Sequence, residues 1–95
     1  MSLSIGPETR VRIASSVYAR AFGEELVLLE FGRGEYFGLD AVGAEVWRGF
    51  ERGETIGEIT DTVVRLWDVS REEALRDIEE LVTDMCSRAL VAVAT

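Results

Sequence analysis

The side chains that could carry chemistry in this sequence are carboxylates, arginines and a single thiol. The chain has 95 residues, with 18 Asp and Glu, 10 basic residues that are all Arg, and no His. Without His the chain has no imidazole for a catalytic triad, a general base or a metal ligand. The one cysteine, Cys86, can form neither an internal disulfide nor a Cys-rich zinc site. This residue composition excludes most of the common catalytic arrangements.

The remaining candidates for reactive or ligand-binding groups are each better explained by a structural role. Cys86 lies on an apolar helix edge with no nearby base, which is typical of an inert core thiol. The acidic pairs at 72–73 and 79–80 are typical of a solvated helix face and lack the spacing of a calcium-binding loop. Gly32 and Gly34 lack the Lys and the following helix of a phosphate-binding loop. We therefore predict a protein that is not an enzyme and has no metal or cofactor.

The charge and the apolar pattern limit the partners. A formal net charge of -8 argues against nucleic acid, because phosphate contacts need clustered Lys or Arg. The N-terminal residues lack the basic segment and the apolar run of a signal peptide. No apolar stretch comes near the roughly 18 residues that a membrane-spanning helix needs. The sequence therefore predicts a soluble cytoplasmic protein with no membrane partner.

The first part of the chain has the pattern of three strands. Alternating residues over 10–20, with a blurred centre, predict the first strand, and the apolar run 26–31 predicts the second. The short segment 35–39 predicts the third. Glycine-containing turns at 23–25 and 32–34 separate the three strands, which indicates an antiparallel meander.

Three helices are predicted to follow. The carboxylate of Asp40 can cap the first, and capping boxes at 55–58 and 70–73 open the second and the third. The third helix extends over 71–87, and the apolar tail 90–93 either returns as a strand or lies on the core. The predicted fold class is α+β and winged-helix-like, with a three-stranded antiparallel sheet followed by three helices. It forms one domain over the whole chain, in which residues 1–9 are the candidate flexible segment.

The third predicted helix has a wider apolar face than one core contact requires. On a helical wheel its apolar residues span about 140°, compared with about 100° for a typical surface helix. The excess lies at the edge that carries Leu75, Val82 and Cys86. Two interpretations stay open. Either the whole face belongs to the core, or Leu75, Ile78 and Val82 line a groove kept open for a partner.

Three segments of the chain have a recognisable pattern: 34–47, with its Tyr, Leu and Trp, then 53–59 and 77–81. Together they resemble the PqqD-like family, whose members recognise the leader peptides of ribosomally made, modified peptides. The chain is more similar to the stand-alone members of lasso-peptide clusters than to the pyrroloquinoline quinone protein itself. That protein usually carries Pro-Glu in its second strand, where this chain has Leu29-Glu30-Phe31, and the family's usual Gly before the final Leu is Ala89 here.

The resemblance implies a binding site and partners. In the family the leader adds as a fourth strand to the edge of the third strand and lies against the third helix. Free strand edges and apolar pockets are the physical basis of such recognition. The implied partners are a precursor leader peptide, a leader peptidase and an ATP-dependent cyclase. Carried onto this sequence, the peptide-binding residues are Glu35, Tyr36, Phe37, Gly38, Leu39, Asp40, Leu75, Ile78, Glu79 and Val82.

A winged-helix transcriptional regulator or adaptor is the alternative function. In a regulator of this kind the third helix would enter the major groove of DNA. Six acids and three arginines lie within residues 70–88, so this helix carries a net charge of -3 and would be repelled by phosphates. The resemblance instead implies a non-catalytic module that binds a leader peptide, in lasso-peptide biosynthesis, and presents the peptide to partner enzymes.

Overall fold

A computed structural model describes residues 5–94 of the chain, which contain five strands and three helices. The helices follow one another between the fourth and fifth strands. They are α1 (Ala41–Glu51), α2 (Ile56–Leu66) and α3 (Arg71–Ser87). The strands are β1 (Arg10–Ile13), β2 (Val17–Phe22), β3 (Glu25–Glu30), β4 (Glu35–Leu39) and β5 (Val91–Ala94). The predicted α+β class is confirmed.

The central sheet is the antiparallel meander β2-β3-β4. In its register Leu29 lies opposite Tyr18 on one side and Tyr36 on the other. The two connecting turns contain Gly23 and Gly34, whose φ angles of 62° and 68° favour glycine. The sheet has its buried side chains, such as Leu28, on the face that packs against the helices. The predicted three-stranded meander is therefore confirmed.

The prediction of a single first strand over 10–20 is wrong, because the chain turns in the middle of this segment. The Val17 N–H donates to the Ala14 carbonyl oxygen at 3.2 Å and closes the turn. β1 is not part of the meander. It pairs antiparallel with β5, and Val11 lies opposite Val93. The C-terminal tail thus returns as a strand, which was one of the two outcomes that the sequence left open.

A buried carboxylate holds the turn ahead of β4. The Glu30 Oε2 atom accepts a hydrogen bond from the Ser16 hydroxyl at 2.6 Å, and Oε1 accepts one from the Arg33 N–H at 2.7 Å. These hydrogen bonds, with Ser16 contributing most, hold the pKa of Glu30 below its usual value. A Cβ atom on Gly32 would lie 3.0 Å from the same carboxylate, so the turn is closely built around it. The result is a fixed starting point for β4.

Local capping positions the helices as the sequence predicts. The Asp40 carboxylate accepts from the Gly43 N–H at 2.8 Å and begins α1 directly after β4. Thr55 and Glu58 form both halves of the predicted capping box of α2. For α3 the Ser70 half is formed, and its hydroxyl accepts from the N–H three residues later. These hydrogen bonds satisfy N–H groups that every helix start leaves free.

The segment ahead of β1 also contacts the start of α2. The Ile56 N–H donates to the Thr9 carbonyl oxygen at 2.9 Å, and the Gly57 N–H donates to the Pro7 carbonyl oxygen at 2.7 Å. A Cβ atom on Gly57 would approach the Pro7 oxygen to 3.0 Å. Part of the candidate flexible segment 1–9 is therefore hydrogen-bonded to a helix, and its first four residues lie outside the described residues.

Candidate functional site

An open groove lies between β4 and α3. β4 packs on β3 and α1, whereas α3 packs on α2 and β5, so these two elements form the facing walls. The groove has a volume of about 610 Å³ and an apolar lining, apart from two carboxylates. Its lining residues are Phe37, Gly38, Leu39 and Asp40 from β4 and its end, Val42, Gly43 and Val46 from α1, Val63, Trp67 and Val69 from α2 and the following loop, and Ala74, Asp77, Ile78 and Leu81 from α3.

The backbone direction of β4 can be read from its neighbours. The Phe31 N–H donates to the Ser16 carbonyl oxygen at 3.0 Å, in register with the β2-β3 pairing. Since successive residues of a strand direct their amide groups to opposite sides, the odd-numbered residues of β3 face β2 and the even-numbered ones face β4. The residues of β4 opposite those even-numbered residues, Phe37 and Leu39, therefore direct their amide groups toward β3.

The amide groups of the alternate residues point away from the sheet. Tyr36 and Gly38 direct their N–H and C=O groups to the outer edge of β4, where the described residues provide no further strand. This edge adjoins the groove, because Gly38 is itself a lining residue. Unpaired strand groups of this kind are a template for another extended chain. The edge and the groove thus form one continuous surface.

The side chains of β4 divide between the two faces of the sheet. Leu39 is buried and Phe37 is half-buried, and both face the groove and the core. Tyr36 points to the opposite face, where 76% of it is exposed. The guanidinium carbon of Arg88, the residue that follows α3, lies 4.9 Å from the centre of the Phe37 ring in the middle of β4.

Val82 does not line the groove in this structure: it is 0% exposed and belongs to the core. Ile78 is also buried but does line the groove. Leu75 is half-buried against the core, and it lies outside the groove. Glu79 lies on a separate, polar face of α3 beside Arg76. The structure therefore brings Ile78 together with β4 and leaves the other three α3 residues of the predicted site elsewhere.

The groove uses the opposite edge of α3, which carries Asp77 and Leu81. The edge with Leu75 and Val82 belongs to the core side of α3, since Val82 is buried and Leu75 is half-buried against the core. The helical wheel shows the width of the apolar face but not which edge is covered.

The two carboxylates of the groove, Asp40 and Asp77, differ in the partners they have within the protein. Asp40 is occupied as the cap of α1. Asp77 is exposed and forms no ion pair within residues 5–94. A cationic group of a bound molecule would therefore meet Asp77 first.

Elsewhere, the thiol of Cys86 is half-buried, and burial raises its pKa, as expected of an unreactive cysteine. The part of the chain that the structure describes has no cluster of three or more potential metal ligands. None of the helices in that part combines the length and the apolar character that crossing a membrane demands.

The chain is similar to known proteins in sequence and in fold. The family model described as coenzyme PQQ synthesis protein D (PqqD) matches residues 25–91. The comparison with curated proteins gave no match. The solved structure of TbiB1 in complex with the TbiA(beta) leader peptide is 31% identical, with a TM-score of 0.82 over 88% of this chain and 98% of that chain.

A second solved structure, of lasso peptide synthetase B1 complexed with the leader peptide, has the same fold. It is 23% identical, with a TM-score of 0.81 over 87% of this chain and 98% of that chain. The family model covers more than half of the sequence, and it includes β3, β4, all three helices and therefore every wall of the groove. The chain belongs to the PqqD family.

Proposed function

We propose that this protein binds the leader segment of a ribosomally synthesised precursor peptide, as a strand added to β4, and catalyses no reaction on it. The observation that carries the proposal is the open amide edge at Tyr36 and Gly38 directly beside the apolar groove. An extended peptide at this edge would pair its backbone with β4 and direct alternate side chains into the groove. The leader peptide bound by TbiB1, a 31% identical relative, supports the same class of ligand here.

The two parts of the site contribute differently to recognition. Backbone hydrogen bonds at the edge accept any extended sequence, and each contributes only about 0.5–1.5 kcal/mol net. Each large apolar side chain that enters the groove contributes about 1.5–3 kcal/mol. The groove wall formed by Val46, Trp67 and Leu81 is suited to aliphatic or aromatic anchors. Affinity is therefore set mainly by the apolar residues of the leader, and the edge sets its direction and register.

The groove supports only part of the site predicted from the sequence. It includes Phe37, Gly38, Leu39, Asp40 and Ile78. Glu35 and Tyr36 belong to the same strand and border its open edge. A role for Leu75, Glu79 and Val82 has no such support, and Asp77 and Leu81 take their place in the proposal.

The bound leader would be presented to other enzymes. In this proposal a leader peptidase, and then an ATP-dependent cyclase, act in the cytoplasm on a precursor that this protein holds. Binding raises the effective concentration of the precursor near those enzymes without any catalytic group in this chain. This chain has Leu29-Glu30-Phe31 where the pyrroloquinoline quinone protein usually carries Pro-Glu, and its resemblance to the stand-alone members of lasso-peptide clusters favours that pathway.

Residue-resolved hydrogen exchange tests the strand addition. The probes are the TbiA(beta) leader peptide and the leader of a precursor encoded beside this protein. We expect the amides of Tyr36 and Gly38 to exchange fast in the free protein and to become protected on binding. Those of Phe37 and Leu39, already bonded to β3, should change little.

The matched control is the outer edge of β2, where Ala19 and Ala21 direct their amide groups away from β3. These amides should keep their exchange rates. Binding that protects only α2 or α3, with no change at Tyr36 and Gly38, would exclude strand addition at β4.

A further inference from the structure

Gly38 has no structural reason to be glycine within residues 5–94. Its φ lies outside the left-handed region, and a Cβ atom there would meet nothing within 4 Å. Gly34, by contrast, has a φ of 68°, and a Cβ on Gly49 would lie 2.4 Å from Ile59. A glycine inside a strand weakens the strand and commonly marks a place where another chain approaches.

The missing side chain of Gly38 leaves an indentation on the outer face of the sheet. Gly38 alternates with Phe37 and Leu39, which face the core, and so shares the outer face with Tyr36. On the neighbouring strand β3, the residue paired with Gly38 is Val27, which is half-buried. The indentation therefore lies between the side chains of Val27 and Tyr36 and is open toward the free edge of β4.

We infer that this indentation receives a large apolar side chain from the added strand, so that Gly38 determines the side-chain size accepted on the outer face. The inference rests on the proposed function. A residue directly opposite Gly38 would have its side chain on the same face, with its Cβ about 4.5–5.5 Å from the Gly38 position. With no Cβ in the way, that side chain can lean across Gly38 onto Val27 and Tyr36. An aromatic ring does this best, as aromatic neighbours do for edge glycines in sheets.

Recognition would then use both faces of the bound strand. Side chains on one face enter the groove between β4 and α3, and the intervening residue lies over Gly38 on the other face. The groove alone would leave this second set of positions without preference. Gly38 gives the site a size requirement that backbone pairing cannot provide.

Filling the indentation separates this role from a structural one. In Gly38→Val the new side chain enters open space, and valine is better suited than glycine to a strand. We expect the free variant to melt at the same temperature as the wild type or higher. The control is Ala21→Val, which also places valine on an edge strand, at the other edge of the sheet.

Selection from a displayed library of random 20-residue peptides tests the inference. The wild type and Ala21→Val should both enrich peptides with a large apolar residue at one fixed distance from the groove anchors. Gly38→Val should replace that residue by Gly, Ala or Ser and leave the anchors unchanged. A peptide selected on the wild type should bind Gly38→Val about tenfold more weakly.

Enrichment of the same large residue on Gly38→Val would overturn the role of Gly38 and leave the proposed function intact. If the wild type enriches no peptide at all, the proposed function fails and the inference fails with it. A fall in the melting temperature of Gly38→Val would also contradict the inference, because it would show that glycine is needed for the fold itself.

Discussion

The sheet β2-β3-β4 ends in two open edges that present similar backbones to different surroundings. At the β4 edge, the outward amide groups of Tyr36 and Gly38 adjoin a groove walled by three helices. At the β2 edge, Ala19 and Ala21 direct their amide groups outward in the same way. β2, however, packs mainly on β3, and most of its residues are exposed.

This difference shows why one edge is a candidate site and the other is not. Polar groups at both edges can pair with an extended chain, but water competes for them equally well. On β2 the neighbouring large side chains, Tyr18 and Phe22, are 62% and 57% exposed. Beside β4 a bound chain can bury side chains as well as pair its backbone. Selective binding therefore requires the groove in addition to the edge.

Introducing a charge into the groove gives the largest expected effect. Leu81→Asp places a carboxylate among apolar lining residues, where it would lose solvation when a peptide covers it. We expect leader binding to weaken by about 2–4 kcal/mol. Isothermal titration calorimetry with the TbiA(beta) leader measures the loss.

Leu75→Asp is the matched control, because Leu75 is also a half-buried leucine of α3 but lies outside the groove. Both variants should lose similar stability in thermal melts, about 1–2 kcal/mol. Only Leu81→Asp should also lose affinity. The reverse result would show that the edge of α3 predicted from the sequence is the one that binds.

Proline substitutions compare the two sheet edges directly. Gly38→Pro removes an outward N–H and places a ring where an added strand would pair, and an edge strand tolerates proline at such a position. We expect leader binding to weaken by about 1.5–3 kcal/mol. Ala21→Pro makes the same change at the β2 edge and should leave the affinity unchanged. Equal losses in the two variants, measured by fluorescence anisotropy, would remove the distinction between the edges.

The parts of the fold that depend on local signals could be predicted from the sequence. The turns at Gly23 and Gly34 and the caps Asp40 and Thr55 act within a few residues, so strand 35–39 and the start of each helix were predicted within a residue. The local signals predict β4 as a strand, whereas its assignment to the candidate site comes from the family resemblance.

The parts that depend on distant contacts could not be predicted. The pairing of Val11 with Val93 joins the two ends of the chain, and no local pattern encodes it. This pairing also brings β5 against α3, and Val82 of α3 is fully buried. A helical wheel records which residues are apolar, but which edge stays open depends on where β5 and α2 pack. Leu81 and Asp77 were therefore missed although the helix itself was predicted correctly.

The smallest expected effect concerns charge, which also distinguishes the β4 groove from the rest of the surface. Asp77 lines the groove and is exposed, so its attraction for a Lys or Arg of the leader is screened and contributes about 0–1 kcal/mol. The net charge of -8 attracts any basic peptide from a distance, whereas Asp77 attracts it at the groove itself.

We expect Asp77→Asn to slow association of a basic leader about two- to threefold and to weaken equilibrium binding by less than about fivefold. Glu80→Gln removes the same charge from an exposed position of α3 outside the groove and should slow association less. Stopped-flow measurements at low and near-molar NaCl separate the two contributions, because high salt should bring all three proteins to the same rate. If Glu80→Gln slowed association as much as Asp77→Asn, the total charge alone would attract the peptide and the position of Asp77 would have no part in it.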